Sequence, residues 1–236
     1  MKLDARHWLS IAVLAVLVLL PQSAAAGMSP EEVRNFERLR LLAETEITSD
    51  QIIVKLAKCY HSGDGVLQDY TKALQWYRKA AQKGNAEAQN NLGNMYYNGD
   101  GVVKDYVQAV EWYRKAANQG DAAGQTNLAN RYSRGEGVTK DYVQAAAWYR
   151  KASDQGLAVA QGFLGLSYDL GEGVAKDSIE AYAYYNIASI TNEGAKKCLN
   201  DLERRMSRDE VAAGQMRTKE LQKEIEAKMA AKKARK

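Results

Sequence analysis

Proline is almost missing from this sequence: of 236 residues only Pro21 and Pro30 are proline, both near the start. Nothing downstream therefore interrupts the backbone hydrogen bonding of a helix, and the abundant alanine favours that state. Histidine is scarcer still in practice, because His61 is the only one after the first 26 residues. It stands two positions from Cys59, a spacing that sends the two side chains to different sides of a helix, so the pair is not read as a metal site. No Ser-x-x-Lys, Gly-x-Ser-x-Gly, His-Glu-x-x-His or Walker-type string occurs, which leaves the common hydrolase and nucleotidase routes without their signatures. Carboxylates brought together across helices would stay invisible at this level. Charge of one sign is also lacking: 33 basic against 29 acidic residues give a net +4, too little for a global steering field, and no nucleic-acid partner is expected.

The one long apolar run is at the beginning. Lys2 and Arg6 precede Leu9 to Leu20, and Ala24-Ala25-Ala26 follow before Gly27. A basic start, a short apolar stretch and small residues make an export signal over residues 1–26. The run is short for a bilayer crossing. An uncut segment would instead tether the protein, so the membrane enters only through this segment. Periplasmic or secreted localisation is the expectation, in a compartment where Cys59 and Cys198 are chemically free to pair.

What is present is a repeat. GDGVLQD from Gly63, GDGVVKD from Gly99, GEGVTKD from Gly135 and GEGVAKD from Gly171 recur at a period of 36 without a gap. After them come ALQWYRKA from Ala73, AVEWYRKA from Ala109, AAAWYRKA from Ala145 and AYAYYNIA from Ala181. Each unit reads as two helices. Ala88, Leu92 and Tyr96 form one stripe of the first, with Gly93 admitting a close neighbour. Ala109, Trp112, Tyr113 and Ala116 form the stripe of the second, aromatics filling the room that alanines leave. Gly99 suits the left-handed end of the first helix, Val102 packs under the turn, and Asp105 caps the second. The Gly-x-Gly is a structural turn: a dinucleotide fingerprint needs a preceding strand and a third glycine.

The pattern A-x-x-x-L-G-x-x-Y-x-x-G-x-G-V-x-x-D-x-x-x-A-x-x-W-Y-x-K-A-A-x-x-G, complete in Ala88 to Gly120, resembles the Sel1-like repeat, a branch of the tetratricopeptide superfamily. The resemblance spans residues 49–192 as four units; Ile52 in place of alanine and Tyr184 in place of tryptophan mark the end units. It implies an all-α, right-handed superhelical solenoid. Residues 27–48 are expected to hold an N-terminal capping helix opened by Ser29-Pro30-Glu31-Glu32, residues 193–228 two C-terminal capping helices, and residues 229–236 a frayed basic tail. About eight helix-to-helix steps of ~8–10 Å should part Cys59 from Cys198, whereas a disulfide needs α-carbons within ~7 Å, so free thiols are expected.

The resemblance further implies a non-enzymatic scaffold with a protein or peptide partner on its concave face and no cofactor. On the first helices, Asn91 and Asn94, then Asn127 and Asn130, recur at period 36. Two readings stand side by side: the amides grip a peptide backbone, to which they can both donate and accept, or Asn91 and Asn127 brace neighbouring helices. Asn94 and Asn130 are the pair expected to face a ligand, and replacing them by alanine is expected to spare folding. One cysteine-rich secreted branch of the family is associated with penicillin binding and weak lactam hydrolysis; its cysteine pairs are missing here, which leaves that activity as the rival reading.

Overall fold

The computed structural model describes residues 28–43 and 49–234, so the export signal expected over residues 1–26 lies outside the described residues. Among the described residues the chain forms eleven α-helices and no strand: α1 Pro30–Ala43, α2 Asp50–Ser62, α3 Tyr70–Gln82, α4 Ala86–Asn98, α5 Tyr106–Asn118, α6 Ala122–Arg134, α7 Tyr142–Ser153, α8 Ala158–Leu170, α9 Ser178–Ser189, α10 Glu193–Glu203 and α11 Arg208–Ala234. None of these is long and apolar enough to cross a membrane. The chain divides into two compact units, one ending at Asp105 and one beginning at Tyr106.

The first unit holds α1 to α4. Ser29 and Glu32 make the reciprocal box that opens α1: Ser29 N–H donates to Glu32 Oε2 at 2.7 Å and Glu32 N–H to Ser29 Oγ at 3.2 Å. Phe36 then sets its ring edge-on to Tyr60, centroids 5.2 Å apart, which seals the apolar face of α2, whose Ile53, Leu56 and Ala57 are buried. Asp69 accepts from the Lys72 N–H and starts α3. Here α1 stands in the position of a second helix from a preceding repeat. A Cβ placed on Gly65 would fall 2.2 Å from the Glu32 carbonyl oxygen, just as one on Gly101 would fall 2.7 Å from that of Tyr70 at the start of α3.

The second unit holds α5 to α11. Leu128 and Leu164 are wholly buried at the centres of α6 and α8, each contributing about 1.5–3 kcal/mol by leaving water. Asp141 and Asp177 cap α7 and α9 as the spacing predicts. In the Trp-Tyr pairs of α5 and α7, Tyr113 and Tyr149 are the buried members; Trp112 and Trp148 lie at the rim, with Lys115 Nζ 3.9 Å and Lys151 Nζ 3.7 Å over their rings. Each first-helix tyrosine is tied to the second helix before it: Arg114 donates to Tyr132 Oη at 3.4 Å and Arg150 to Tyr168 Oη. At Gly165, the counterpart of Gly93, the close neighbour is chiefly the Tyr185 ring, 2.9 Å from where a Cβ would stand.

The C-terminal helix does more than fray. It remains helical to Ala234, because Leu221 and Ile225 enter the core formed by α7 and α9, with Met229 packed beside them. Arg217 Nε donates to Glu180 Oε1 on α9 at 2.6 Å and its Nη1 to Glu224 at 2.8 Å. Gly214 lets the two helices touch, since a Cβ there would lie 2.6 Å from the Tyr182 ring. Lys228 bonds Asp154 at 2.8 Å.

Candidate functional site

The first helices of the second unit present two neighbouring recesses. One, of about 220 Å³, lies between α6 and α8 over the start and middle of α7. Asn130, Ser133 and Arg134 form its α6 wall, Phe163, Leu166 and Ser167 its α8 wall, and Glu172 closes one end. The other, of about 240 Å³, lies between α8 and α10 and is nearly all apolar. Phe163 and Leu166 line both, so the two recesses share a wall on α8.

The four asparagines are separated by the division of the chain. Asn91 and Asn94 lie on α4 in the first unit, and Asn127 and Asn130 on α6 in the second; all four are half-buried. Of these, Asn130 lines the first recess and Asn127 does not. Asn130 also has a packing task, because Tyr149 Oη donates to its Oδ1 at 2.6 Å. That corrects the expectation that its replacement leaves folding untouched: its carbonyl satisfies a buried hydroxyl, while its NH₂ group remains on the recess wall. Burial raises the Tyr149 phenol above its ordinary value, which keeps it a donor.

Sequence reasoning missed the positions that follow in the same register. Thirty-six residues beyond Asn127 and Asn130 stand Phe163 and Leu166, the shared wall of the two recesses. The first-helix face thus changes from amide to apolar between the third and fourth repeat. The period made that signal available; it was hidden because Phe and Leu look like core residues, although both are only half-buried.

The thiols lie apart from any chemistry seen here. Cys59 and Cys198 are both half-buried and unbridged, Cys59 with its ionisation disfavoured by burial, and Cys198 on the apolar recess. His61 Nε2 is 3.5 Å from Asp100 Oδ2 and its ring meets that of Tyr70 edge-on at 5.2 Å. The arrangement offers shape and hydrogen bonds for holding a chain segment, with a charged residue of each sign, Arg134 and Glu172, at the polar recess.

A solenoid of paired helices with recesses between successive first helices defines a repeat scaffold. The Sel1 repeat family model matches residues 53–85, 86–121, 122–157 and 158–189, and the chain belongs to the Sel1 repeat family. Proteins of this family generally mediate protein–protein interactions and are generally non-enzymatic. Among solved structures, it is similar to c5321, a protective antigen present in uropathogenic Escherichia coli strains that displays this fold, with 33% identity and a TM-score of 0.77 over 96% of the chain. The chain spans 48% of that protein's length. A Sel1 repeat protein from Oxalobacter formigenes is 34% identical, with a TM-score of 0.63 and 72% of each chain covered. The immunity protein Pa5087 from Pseudomonas aeruginosa, at 23% identity, a TM-score of 0.51 and coverage of 98% and 83%, shares the fold. No curated protein matches the chain.

Proposed function

We propose that this protein is an exported scaffold that holds a segment of a protein partner along the first-helix face of its second unit, acting as an adaptor or regulator in the cell envelope without catalysis of its own. The observation that carries the reading is the pair of recesses on either side of a shared α8 wall, polar beside Asn130 and Arg134 and apolar beyond Phe163. A backbone lying over the polar recess meets amide and guanidinium donors, and a side chain lying over the apolar one leaves water. Export is supported by the basic start, the apolar run and Ala24 to Ala26; intact mass of extracytoplasmic material then begins at Gly27.

The test is site-specific photo-crosslinking in living cells. A benzophenone amino acid at Arg134, exposed beside the polar recess, should yield an adduct with another protein, whereas the same group at Ala147, exposed on the second helix α7, should not. An adduct from Ala147 alone, or from neither position, contradicts the reading.

A further inference from the structure

A glutamine recurs near the start of three first helices: Gln89 on α4, Gln125 on α6 and Gln161 on α8. All three are buried. In the earlier two, Nε2 donates to the carbonyl eight residues before it, that of Ala81 at 3.1 Å and that of Ala117 at 3.2 Å. Gln125 Oε1 then accepts from Gln155 Nε2, in the turn after α7, at 2.8 Å. The buried amide of Gln125 is thus satisfied at both ends, the oxygen by a second carboxamide.

Gln161 departs from this pattern. At one period beyond Gln155 stands Thr191, and the two backbones match: Gln155 N–H donates to Ala152 O at 3.1 Å and Thr191 N–H to Ala188 O at 3.2 Å. The threonine side chain carries no amide to lay against the glutamine before it. Among the described residues the Gln161 side chain makes no hydrogen bond. It is 3% exposed, and that exposure includes its amide nitrogen and oxygen. Such a group calls for a partner, since a buried amide left unpaired is costly.

The recess that Gln161 lines holds about 240 Å³ between the start of α8, the end of α9 and α11, and it shares no lining residue with the two recesses of the first-helix face. Ile187 and Ile225 give it apolar walls, while Gln222 and Glu226 of α11 stand at its edge, linked by an Nε2 to Oε1 bond of 3.2 Å. The volume exceeds an apolar cavity of about 150 Å³ that admits benzene, so a small molecule fits whole.

We propose that this recess binds a small molecule bearing a primary carboxamide on a short aliphatic stem, its amide pairing with that of Gln161 and its stem lying against Ile187 and Ile225. The register names the group, because a carboxamide meets the equivalent glutamine one repeat earlier. Chemistry narrows it further. Gln161 needs both a donor and an acceptor: a carboxylate supplies only the second and meets Glu226, and an ammonium supplies only the first. This site is separate from the first-helix face and does not rest on that reading.

The test is methyl-resolved NMR of the full chain titrated with butanamide, butanoate, butylammonium or 1-butanol, four probes with similar stems. Ile187 and Ile225 should shift saturably with butanamide, with a Kd on the order of 10 mM, as suits so small a ligand. The other three should bind about fivefold more weakly or worse, the worth of one net hydrogen bond. Ile53, in the other unit, and Leu166, on the first-helix recesses, should stay where they are. Thr191→Gln puts the carboxamide into the chain itself, so it should raise the melting temperature and abolish the shifts. Gln161→Leu should melt no lower than the unaltered protein, yet lose about fivefold or more in butanamide affinity.

Equal binding of the four probes, no saturable shift with butanamide, full affinity in Thr191→Gln or Gln161→Leu, or a lower melting temperature for Gln161→Leu overturns the proposal. The Arg134 adduct bears on the first-helix reading alone.

Discussion

Gly173, in the turn between α8 and α9, lies so close to the start of α7 that a Cβ built on it would fall 2.0 Å from the Tyr142 carbonyl oxygen. Gly137 stands in the same relation to Tyr106, at 2.2 Å. The second glycine of each turn is therefore where one repeat rests its backbone on the repeat before it. Its φ of 76° is also one that side chains disfavour. Gly84 offers the comparison: φ is 93°, but nothing stands within 4 Å of its Cβ position.

The first prediction separates these two terms. Gly84→Ala should cost about 1–2 kcal/mol, the price of a left-handed alanine. Gly173→Ala adds a backbone collision and should cost about 3 kcal/mol or more. Urea unfolding of the two variants measures the difference; equal losses would show that the turn glycines serve φ alone.

The second concerns Asn130. Alanine there removes the acceptor of the buried Tyr149 hydroxyl and should cost about 1–2 kcal/mol, whereas Asn130→Asp keeps an acceptor and should cost less. Thermal melts decide it. Any loss of partner binding by Asn130→Ala then has to be judged against this stability change.

How much of this could be read from sequence depends on distance along the chain. Caps at Asp69, Asp141 and Asp177, the box at Ser29 and Glu32, and the left-handed ends at Gly99 and Gly135 all follow from residues three or four apart. The glycines of the turns were legible as glycines, but their contact with Tyr142 or Tyr106 was not, because it joins different repeats. The same holds for α11. Arg217 meets Glu180 across 37 residues and Lys228 meets Asp154 across 74, and no local pattern distinguishes a lysine at a solvated helix end from one with a partner. In the candidate site the amides are visible by period, whereas their apolar counterparts Phe163 and Leu166 are of residue types that a core position would equally hold, and only their half-burial marks them.

The third prediction follows from Arg217, which carries the ion pairs between α9 and α11 in a half-buried setting. Arg217→Ala should cost about 1–2 kcal/mol, discounted for partial exposure, and should speed hydrogen exchange in α11 more than in α6 or α8. Uniform acceleration across the second unit would contradict this local role.

The fourth is a pH effect at the start of α11. Glu210 is held below its ordinary pKa of 4.5 by the Ser207 backbone N–H first and the Ser207 hydroxyl second. A carboxylate with a lowered folded value contributes stability above pH 4.5 and loses it as pH falls through that lowered value. Glu210→Gln should therefore have a lower urea midpoint than the unaltered chain at pH 7, with the gap closing in acid. A gap that is constant with pH would assign the effect to shape instead of charge.

The central claim, that the first-helix face of the second unit holds a partner segment, is tested most directly by methyl-resolved NMR of the full chain with the protein captured at Arg134. Leu166 and Val159, on α8 beside the recesses, should shift or broaden on addition of that partner. Val107, Val143 and Ile190, exposed on or just after the second helices, should stay where they are. Shifts confined to Val107, Val143 and Ile190, with Leu166 and Val159 unmoved, would contradict the account.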